Sequence, residues 1–153
     1  MKKITFAQYL ALATAFLMSW TSFAVNLTDT RLMHQPALSS THIAFIYAND
    51  LWLANSDGSN PRRLTSDTGI ESNPCFSPDG KLIAFSAEYD GNTDVFTIAT
   101  EGGIPQRLTW HPSADMVRGF THDGKAVLFA SQRDDFSNRY TQLFTISLSG
   151  GFP

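Results

Sequence analysis

The sequence repeats itself at a spacing of 44 residues, and this repeat constrains the fold more than any other feature. Arg63–Thr65 returns as Arg107–Thr109, and the turn-like segment Ser77–Lys81 returns as Thr121–Lys125, each 44 residues later. A repeat of this length is typical of folds in which one supersecondary unit is stacked several times. The chain is therefore expected to consist of similar units and not of one irregular core.

The middle copy of the repeat reads as four short strands separated by turns. Residues 70–76, 81–88 and 93–100 are rich in apolar, β-branched or aromatic residues, and residues 104–109 form a shorter run. In Ser77–Gly80 the proline presets φ at the second turn position and the glycine supplies a positive φ. Four antiparallel strands per repeat of about 44 residues is the pattern of a β-propeller blade.

The predicted fold is all-β, with about three four-stranded antiparallel blades of an incomplete propeller preceded by a signal-peptide helix. A degenerate early copy supports the count, since residues 42–46 match residues 82–86 at a spacing of 40. The expected blades span about 32–65, 66–109 and 110–153, the last being incomplete. A β-sandwich is the alternative, although it would not require the same turn chemistry in each copy.

The number of copies is smaller than the number of blades in a closed ring. Propellers typically have about four to eight blades. In the third copy the strand that would correspond to Gln106–Thr109 is not present after Gly150–Pro153. The sequence is therefore expected to be a fragment of a longer protein, with exposed apolar faces and strand edges at its terminal blades.

The first 24 residues have the three-part pattern of a secretory signal. Lys2 and Lys3 precede a largely apolar run over residues 4–20, and Ser22–Ala24 places small residues at a cleavage site. A membrane-spanning helix is the alternative, but the polar residues within the run weaken it. We expect a signal peptide over 1–24, a linker over 25–31, and a periplasmic or secreted protein without a stable membrane anchor after cleavage.

Composition excludes several other classes of protein. The 153 residues include 42% hydrophobic residues and carry a net charge of −3, which is unlike a disordered chain. That mild acidity gives no reason to expect nucleic-acid binding. The single cysteine, Cys75, cannot form an internal disulfide and is expected to be a small buried hydrophobic residue.

The motifs together resemble a known family. Leu51-Trp52 and Phe76–Lys81 look like WD40-like Pro-Asp repeats. More narrowly, Glu88–Val95, Arg107–His111 and Arg139–Leu143 resemble the N-terminal propeller of tricorn-type serine peptidases. That resemblance implies a long parent chain with a six-bladed propeller, a PDZ domain and C-terminal catalytic domains, in which the propeller guides peptides to an enclosed active site.

The resemblance implies an activity that lies outside this chain. The parent would be a serine-type endopeptidase and an oligomer, whereas no catalytic, metal-binding or cofactor-binding residue is transferred to this sequence. One alternative is a non-enzymatic periplasmic binding module similar to the propeller of the Tol-system translocation protein. Another is the propeller of a prolyl-oligopeptidase-like enzyme.

One sequence pattern suggests a metal site, although a simpler explanation is preferred. Asp90, Asn92, Asp94 and Glu101 partly match a calcium-binding EF-hand loop. However, Val95 stands where that loop requires glycine, and no helices flank the segment. An Asx-rich hairpin turn is the preferred interpretation.

The remaining polar and aromatic candidates are also assigned structural roles. The histidines lack metal-ligand spacing and are expected to be solvated or hydrogen-bonded loop residues, and the serines lack a nucleophile elbow. Arg62-Arg63 is expected to be a solvated strand end, with a clamp for a substrate carboxylate as the alternative. Trp52 and Trp110 are expected to pack between blades rather than line a channel. The histidines concerned are His34, His42, His111 and His122, and the serines are Ser77, Ser86 and Ser131.

Overall fold

The structure, a computed structural model, describes residues 32–134 and 140–153, and it contains eleven β-strands within them. The strands are β1 (Met33–Leu38), β2 (His42–Tyr47), β3 (Asp50–Asn55), β4 (Arg62–Arg63), β5 (Glu71–Phe76), β6 (Leu82–Glu88), β7 (Thr93–Ala99), β8 (Gln106–Arg107), β9 (Met116–Phe120), β10 (Ala126–Ser131) and β11 (Gln142–Ser147). The predicted signal peptide and linker lie outside the described residues. No helix among the described residues has the length and apolar character needed to cross a membrane.

The strands form three antiparallel sheets in chain order. The first blade has the order β1-β2-β3-β4, the second β5-β6-β7-β8, and the third β9-β10-β11. Neighbouring blades touch through their first strands, since β5 contacts β1, β2 and β3, and β9 contacts β5, β6 and β7. Each sheet therefore packs face to face against the next, as blades do in a propeller, and the predicted all-β blade architecture is confirmed.

The same turn joins the first two strands of the second and third blades, and its geometry explains the sequence motif. In the second blade the Ser77 hydroxyl donates to Asp79 (2.7 Å) and accepts from the Leu82 N–H (2.9 Å). Gly80 lies at φ 71° and takes the positive-φ position expected of it. Thr121 makes the equivalent hydroxyl bond to Asp123 at 2.7 Å. The turn therefore needs the hydroxyl, the aspartate and the glycine, and it tolerates replacement of the proline.

The hydrophobic core lies between the blades. One buried cluster joins the first blade to the second, and a separate cluster joins the second to the third. Ile83, Ala84 and Phe85 are all fully buried, because the second blade is covered on both faces. Successive residues of a strand point to opposite faces, so a near-continuous apolar run is what a blade with two neighbours requires.

Candidate functional site

Two buried carboxylates lie at equivalent positions in the two junctions between blades. Glu71 and Asp115 are 44 residues apart and fully buried. Their backbone N–H groups donate across the junctions, to the carbonyl of Asn49 (3.1 Å) and to that of Thr93 (2.8 Å) respectively. Each acidic residue therefore stands where the connection from one blade enters the first strand of the next, and ties that strand to the preceding blade.

At the first junction the carboxylate is bound by neutral donors only. Glu71 Oε2 accepts from the Leu51 N–H (2.6 Å) and from the Thr65 hydroxyl (2.5 Å), and Oε1 accepts from the Tyr89 hydroxyl (2.5 Å). Burial raises the pKa of Glu71, and the three hydrogen bonds oppose that shift without cancelling it. This network joins residues of the first blade to residues of the second.

At the second junction a cation takes the place of the tyrosine. The Arg133 guanidinium donates to Asp115 Oδ2 at 2.5 Å, and the two side chains are 9% and 0% exposed. Arg133 occupies the position equivalent to Tyr89, 44 residues later. The Ser86 hydroxyl adds a bond to the Asp115 carbonyl (3.1 Å) and accepts from the Val117 N–H (2.8 Å). The two junctions thus share one geometry but use different chemistry.

The segment that resembles a calcium loop is held by an arginine. Arg107 binds Asp94 at 2.6 Å and Asp90 at 2.9 Å. Asn92 donates to Asp94 (3.1 Å) and to the His111 carbonyl (2.6 Å), so it also contacts the connection to the third blade. The predicted hairpin connection is confirmed, because residues 89–92 join β6 to β7 and their acidic neighbours are engaged by a cation.

A cleft lies beside each junction, and the two clefts are lined by equivalent residues. The first cleft, of about 290 Å³, includes Leu64–Asp67, Tyr89 and Gly103–Pro105. The second cleft, of about 170 Å³, includes Leu108–His111, Arg133 and Gly151–Pro153. Each lies between the end of one blade and the following blade. These clefts are concave surfaces able to receive a side chain of another molecule.

A glycine allows the connection between the first two blades to lie against the second blade. A Cβ atom on Gly69 would be 2.2 Å from the carbonyl oxygen of Glu88, which is too close for any other residue. The same connection is held by a bond from the Glu88 N–H to the Ile70 carbonyl (3.1 Å). Leu64–Asp67 form one wall of the first cleft, and the connection that they begin is therefore anchored to the second blade at Ile70.

The serines singled out from the sequence, and two of the histidines, His42 and His111, take part in local hydrogen bonds. Ser77 belongs to the turn described above, Ser86 bonds the third blade, and Ser131 accepts from the Arg133 N–H (3.3 Å). His111 Nδ1 accepts from the Ser113 N–H (3.1 Å). In none of these bonds does a serine hydroxyl meet a histidine ring nitrogen.

Two of the histidines depart from the expected loop positions. His34 lies in β1 and His42 in β2, where they pair with Ile46 and Asn55 of the neighbouring strands. The prediction that all four histidines are loop residues is therefore wrong for these two. The reason is that the first blade begins and turns within a few residues of them, so that strand pairing includes polar positions at the strand ends.

The predicted packing between blades is found for neither tryptophan, although Trp52 is a packing residue of its own blade. Trp52 is 9% exposed and packs against Phe45 and Ala54 within the first blade. Trp110 is 66% exposed and lies under the Arg107 guanidinium at 5.7 Å, so it is not an inter-blade packing residue. Trp110 lies in the second cleft because it belongs to the connection after β8, and the sequence pattern does not predict the direction of that connection.

The arginine pair and the cysteine largely follow the sequence interpretation. Arg62 and Arg63 are exposed, but they also bond, Arg62 to the Thr100 carbonyl of the second blade and Arg63 to Asp50 at 3.2 Å. Cys75 is half-buried beside the core of the second junction. Burial raises the pKa of its thiol to about 12, which makes the thiolate scarce at neutral pH.

The inter-blade acids were missed by the sequence analysis, although the repeat contains the signal for them. The residues that separate Thr65 from Glu71 all differ from those at the equivalent positions between Thr109 and Asp115. The spacing of 44 nevertheless continues through those connections without a gap. Extending the alignment past the threonines would have paired the two acids.

Comparison with known proteins gives a consistent result. Residues 30–153 match the family described as the tricorn protease N-terminal β-propeller domain. The chain is 43% identical over 53 residues to a putative tricorn protease homolog 2 of Streptomyces coelicolor, and 39% identical over 59 residues to a TolB protein homolog of Chlorobium luteolum. These alignments cover 34% and 39% of this chain, but 4% and 14% of the two relatives.

A solved structure shows the same fold. A crystal structure of the tricorn protease superposes with a TM-score of 0.66 at 23% identity, over 78% of this chain and 12% of that protein. At this identity the likeness concerns the fold alone. The chain thus spans a small part of the length of the proteins that it resembles.

Proposed function

Because the chain belongs to the tricorn protease N-terminal β-propeller domain family, we propose that it serves substrate access and scaffolding in an exported, tricorn-like serine endopeptidase. In this proposal residues 1–24 are a signal peptide, 25–31 a linker and 32–153 part of the propeller. The protein acts in the periplasm or outside the cell. Its partners are peptides or unfolded segments, together with the PDZ and catalytic domains of an oligomeric parent.

One observation carries the proposal of a scaffolding role. The buried acidic residues at the blade junctions both bond the preceding blade, Glu71 through its carboxylate and Asp115 through its backbone N–H and carbonyl. Such groups rigidify the joints and do not approach a substrate. Catalysis would then reside outside this chain, which would bind peptides without cleaving them, and would require no cofactor.

The proposal is tested by separating binding from cleavage. The purified full chain is incubated with unfolded peptides carrying a fluorescent label, and binding is followed by anisotropy while cleavage is followed by mass spectrometry. We expect binding without hydrolysis. Hydrolysis that is lost in Ser77→Ala, Ser86→Ala or Ser131→Ala would contradict the assignment of catalysis to another part of the protein.

A second candidate is favoured by the match to the TolB homolog of Chlorobium luteolum, which is 39% identical over 59 residues. In that case the chain would belong to a non-enzymatic module that binds an envelope protein. The DNA that follows the codon for Pro153 distinguishes the candidates. A PDZ domain and a tricorn-type catalytic region support the first, whereas a stop after six blades supports the second, and an α/β-hydrolase domain would indicate a prolyl-oligopeptidase-like enzyme.

A further inference from the structure

The first cleft has apolar walls and a size suited to one side chain. Leu64 of the first blade and Phe96 and Pro105 of the second contribute to its lining. Ile104, which also lines it, is 94% exposed, so an apolar surface is left in water at this place. A volume of about 290 Å³ lies at the lower end of the range for ligand pockets, which favours a single long side chain over a larger ligand.

The same cleft carries an unpaired acid. Asp67 is exposed and lines the cleft, and its Oδ1 accepts from the N–H of Thr68 (2.7 Å). Within residues 32–134 and 140–153 it forms no ion pair. Other carboxylates lie nearby, since burial, the bond to Glu71 and the charges of Glu71, Asp67 and Asp50 together raise the pKa of Tyr89. The Arg63 guanidinium is bound to Asp50 at 3.2 Å, and the Arg62 guanidinium, which lies beside Gly102, is bound to the Thr100 carbonyl.

The second cleft provides an internal comparison. His111 stands there at the position of Asp67, and Arg133 stands at the position of Tyr89. The acidic character therefore belongs to the first cleft and is not a general property of the repeat. An acid that serves only the blade joint would be expected in both copies, as Glu71 and Asp115 are.

We infer that the first cleft binds a lysine or arginine side chain of an extended peptide, with the aliphatic stem against Leu64, Phe96 and Ile104 and the cation at Asp67. Long basic side chains bury their stems on apolar surface while the charged group stays near water. This inference rests on the proposed function, because it specifies which peptides the propeller admits. An exposed ion pair of this kind changes affinity by about three- to fivefold at low salt and by less at high salt.

The test compares two labelled peptides that differ in one charge. Each is a nine-residue peptide of serine and threonine with a central residue that is either arginine or its neutral analogue citrulline. With the full chain at low salt, the arginine peptide is expected to bind about three- to fivefold more tightly. Asp67→Asn should remove the difference, whereas the control Asp134→Asn, which removes an exposed acid of the third blade, should preserve it.

Two further variants locate the binding site. Ile104→Ser should weaken both peptides, because it removes an apolar wall that either stem would contact. Asp67→Lys should reverse the preference, so that a peptide with a central glutamate binds more tightly than the arginine peptide. Circular dichroism spectra that match the unmodified chain establish that each variant is folded.

The outcomes separate this inference from the proposed function. Equal binding of the arginine and citrulline peptides, or an unchanged preference in Asp67→Asn, overturns the inference while peptide binding as such still supports the proposed function. Unchanged affinities in Ile104→Ser also overturn it, since the peptides would then bind elsewhere. If neither peptide binds the folded chain, both the inference and the proposed function fail.

Discussion

Arg133→Met is expected to destabilise the chain strongly, because it leaves Asp115 buried without a cation. The carboxylate is fully buried, and the Arg133 guanidinium is its only side-chain donor in the part of the chain that the structure describes. Removing one partner of a buried ion pair typically costs about 3–5 kcal/mol. The expected decrease in the free energy of unfolding is therefore about 3–5 kcal/mol.

Removal of both charges should be less harmful than removal of one. Asp115 Oδ1 and Arg133 Nε have no hydrogen-bond partner among the described residues, so the pair is bonded through one contact only. Arg133 also lies over the rings of Phe129 (4.8 Å) and Phe144 (5.4 Å), where a methionine side chain can pack. The double variant Asp115→Ala/Arg133→Met is therefore expected to be more stable than Arg133→Met alone.

Urea titration of the full chain, followed by circular dichroism, measures these differences. With a slope of about 1–3 kcal/mol per molar urea, Arg133→Met should lower the midpoint by at least about 1 M. The control is Arg118→Met, which removes an exposed arginine from the same blade and should change the free energy by no more than about 0.5 kcal/mol. Equal midpoints for the two single variants would refute the reasoning.

Three further predictions concern the core, one junction and the thiol. Phe85→Ala should lower the free energy of unfolding by about 3–5 kcal/mol, whereas Phe152→Ala, at an exposed position, should have little effect; similar urea midpoints would contradict an inter-blade core. Glu71→Gln should be compared with the unmodified chain across pH. Since the pKa of Glu71 is raised above its ordinary 4.5, its contribution is fully present below pH 4.5 and declines as pH rises through the folded pKa. As pH rises through this range, the free energy of unfolding of the unmodified chain should fall relative to that of Glu71→Gln. A relative rise with pH would contradict this prediction. Cys75 should react with iodoacetamide far more slowly in the folded chain than in urea, because the raised pKa of about 12 makes thiolate scarce; equal rates would contradict its burial.

The blades could be predicted from the sequence because the turns and strands of the repeat each depend on residues that are close together in the chain. The turn formed by Ser77–Gly80 needs a hydroxyl, an aspartate and a glycine close together in sequence, so its recurrence 44 residues later is visible without a structure. The fully buried run from Ile83 to Phe85 is likewise expected of a strand covered on both faces. These two signals were enough to predict four-stranded units and their order.

The contacts between blades were not predicted, since they depend on residues far apart in sequence. Trp110 follows a two-residue strand, and nothing local determines whether its ring turns to the core or to water. Glu71 accepts from the Leu51 N–H of the preceding blade and the Asp115 carbonyl accepts from the Ser86 hydroxyl, so these contacts appear only when the blades are placed side by side. The predicted signal peptide remains a prediction.

The central claim is that the sheets are neighbouring blades joined at their first strands, and a single NMR measurement tests it directly. Coupling through the hydrogen bond from the Asp115 N–H to the Thr93 carbonyl, which spans 2.8 Å, should give a correlation between the two residues in a long-range HNCO spectrum. That correlation crosses from the second blade to the third. A correlation from the Asp115 amide to a carbonyl of its own sheet would contradict this arrangement of the blades.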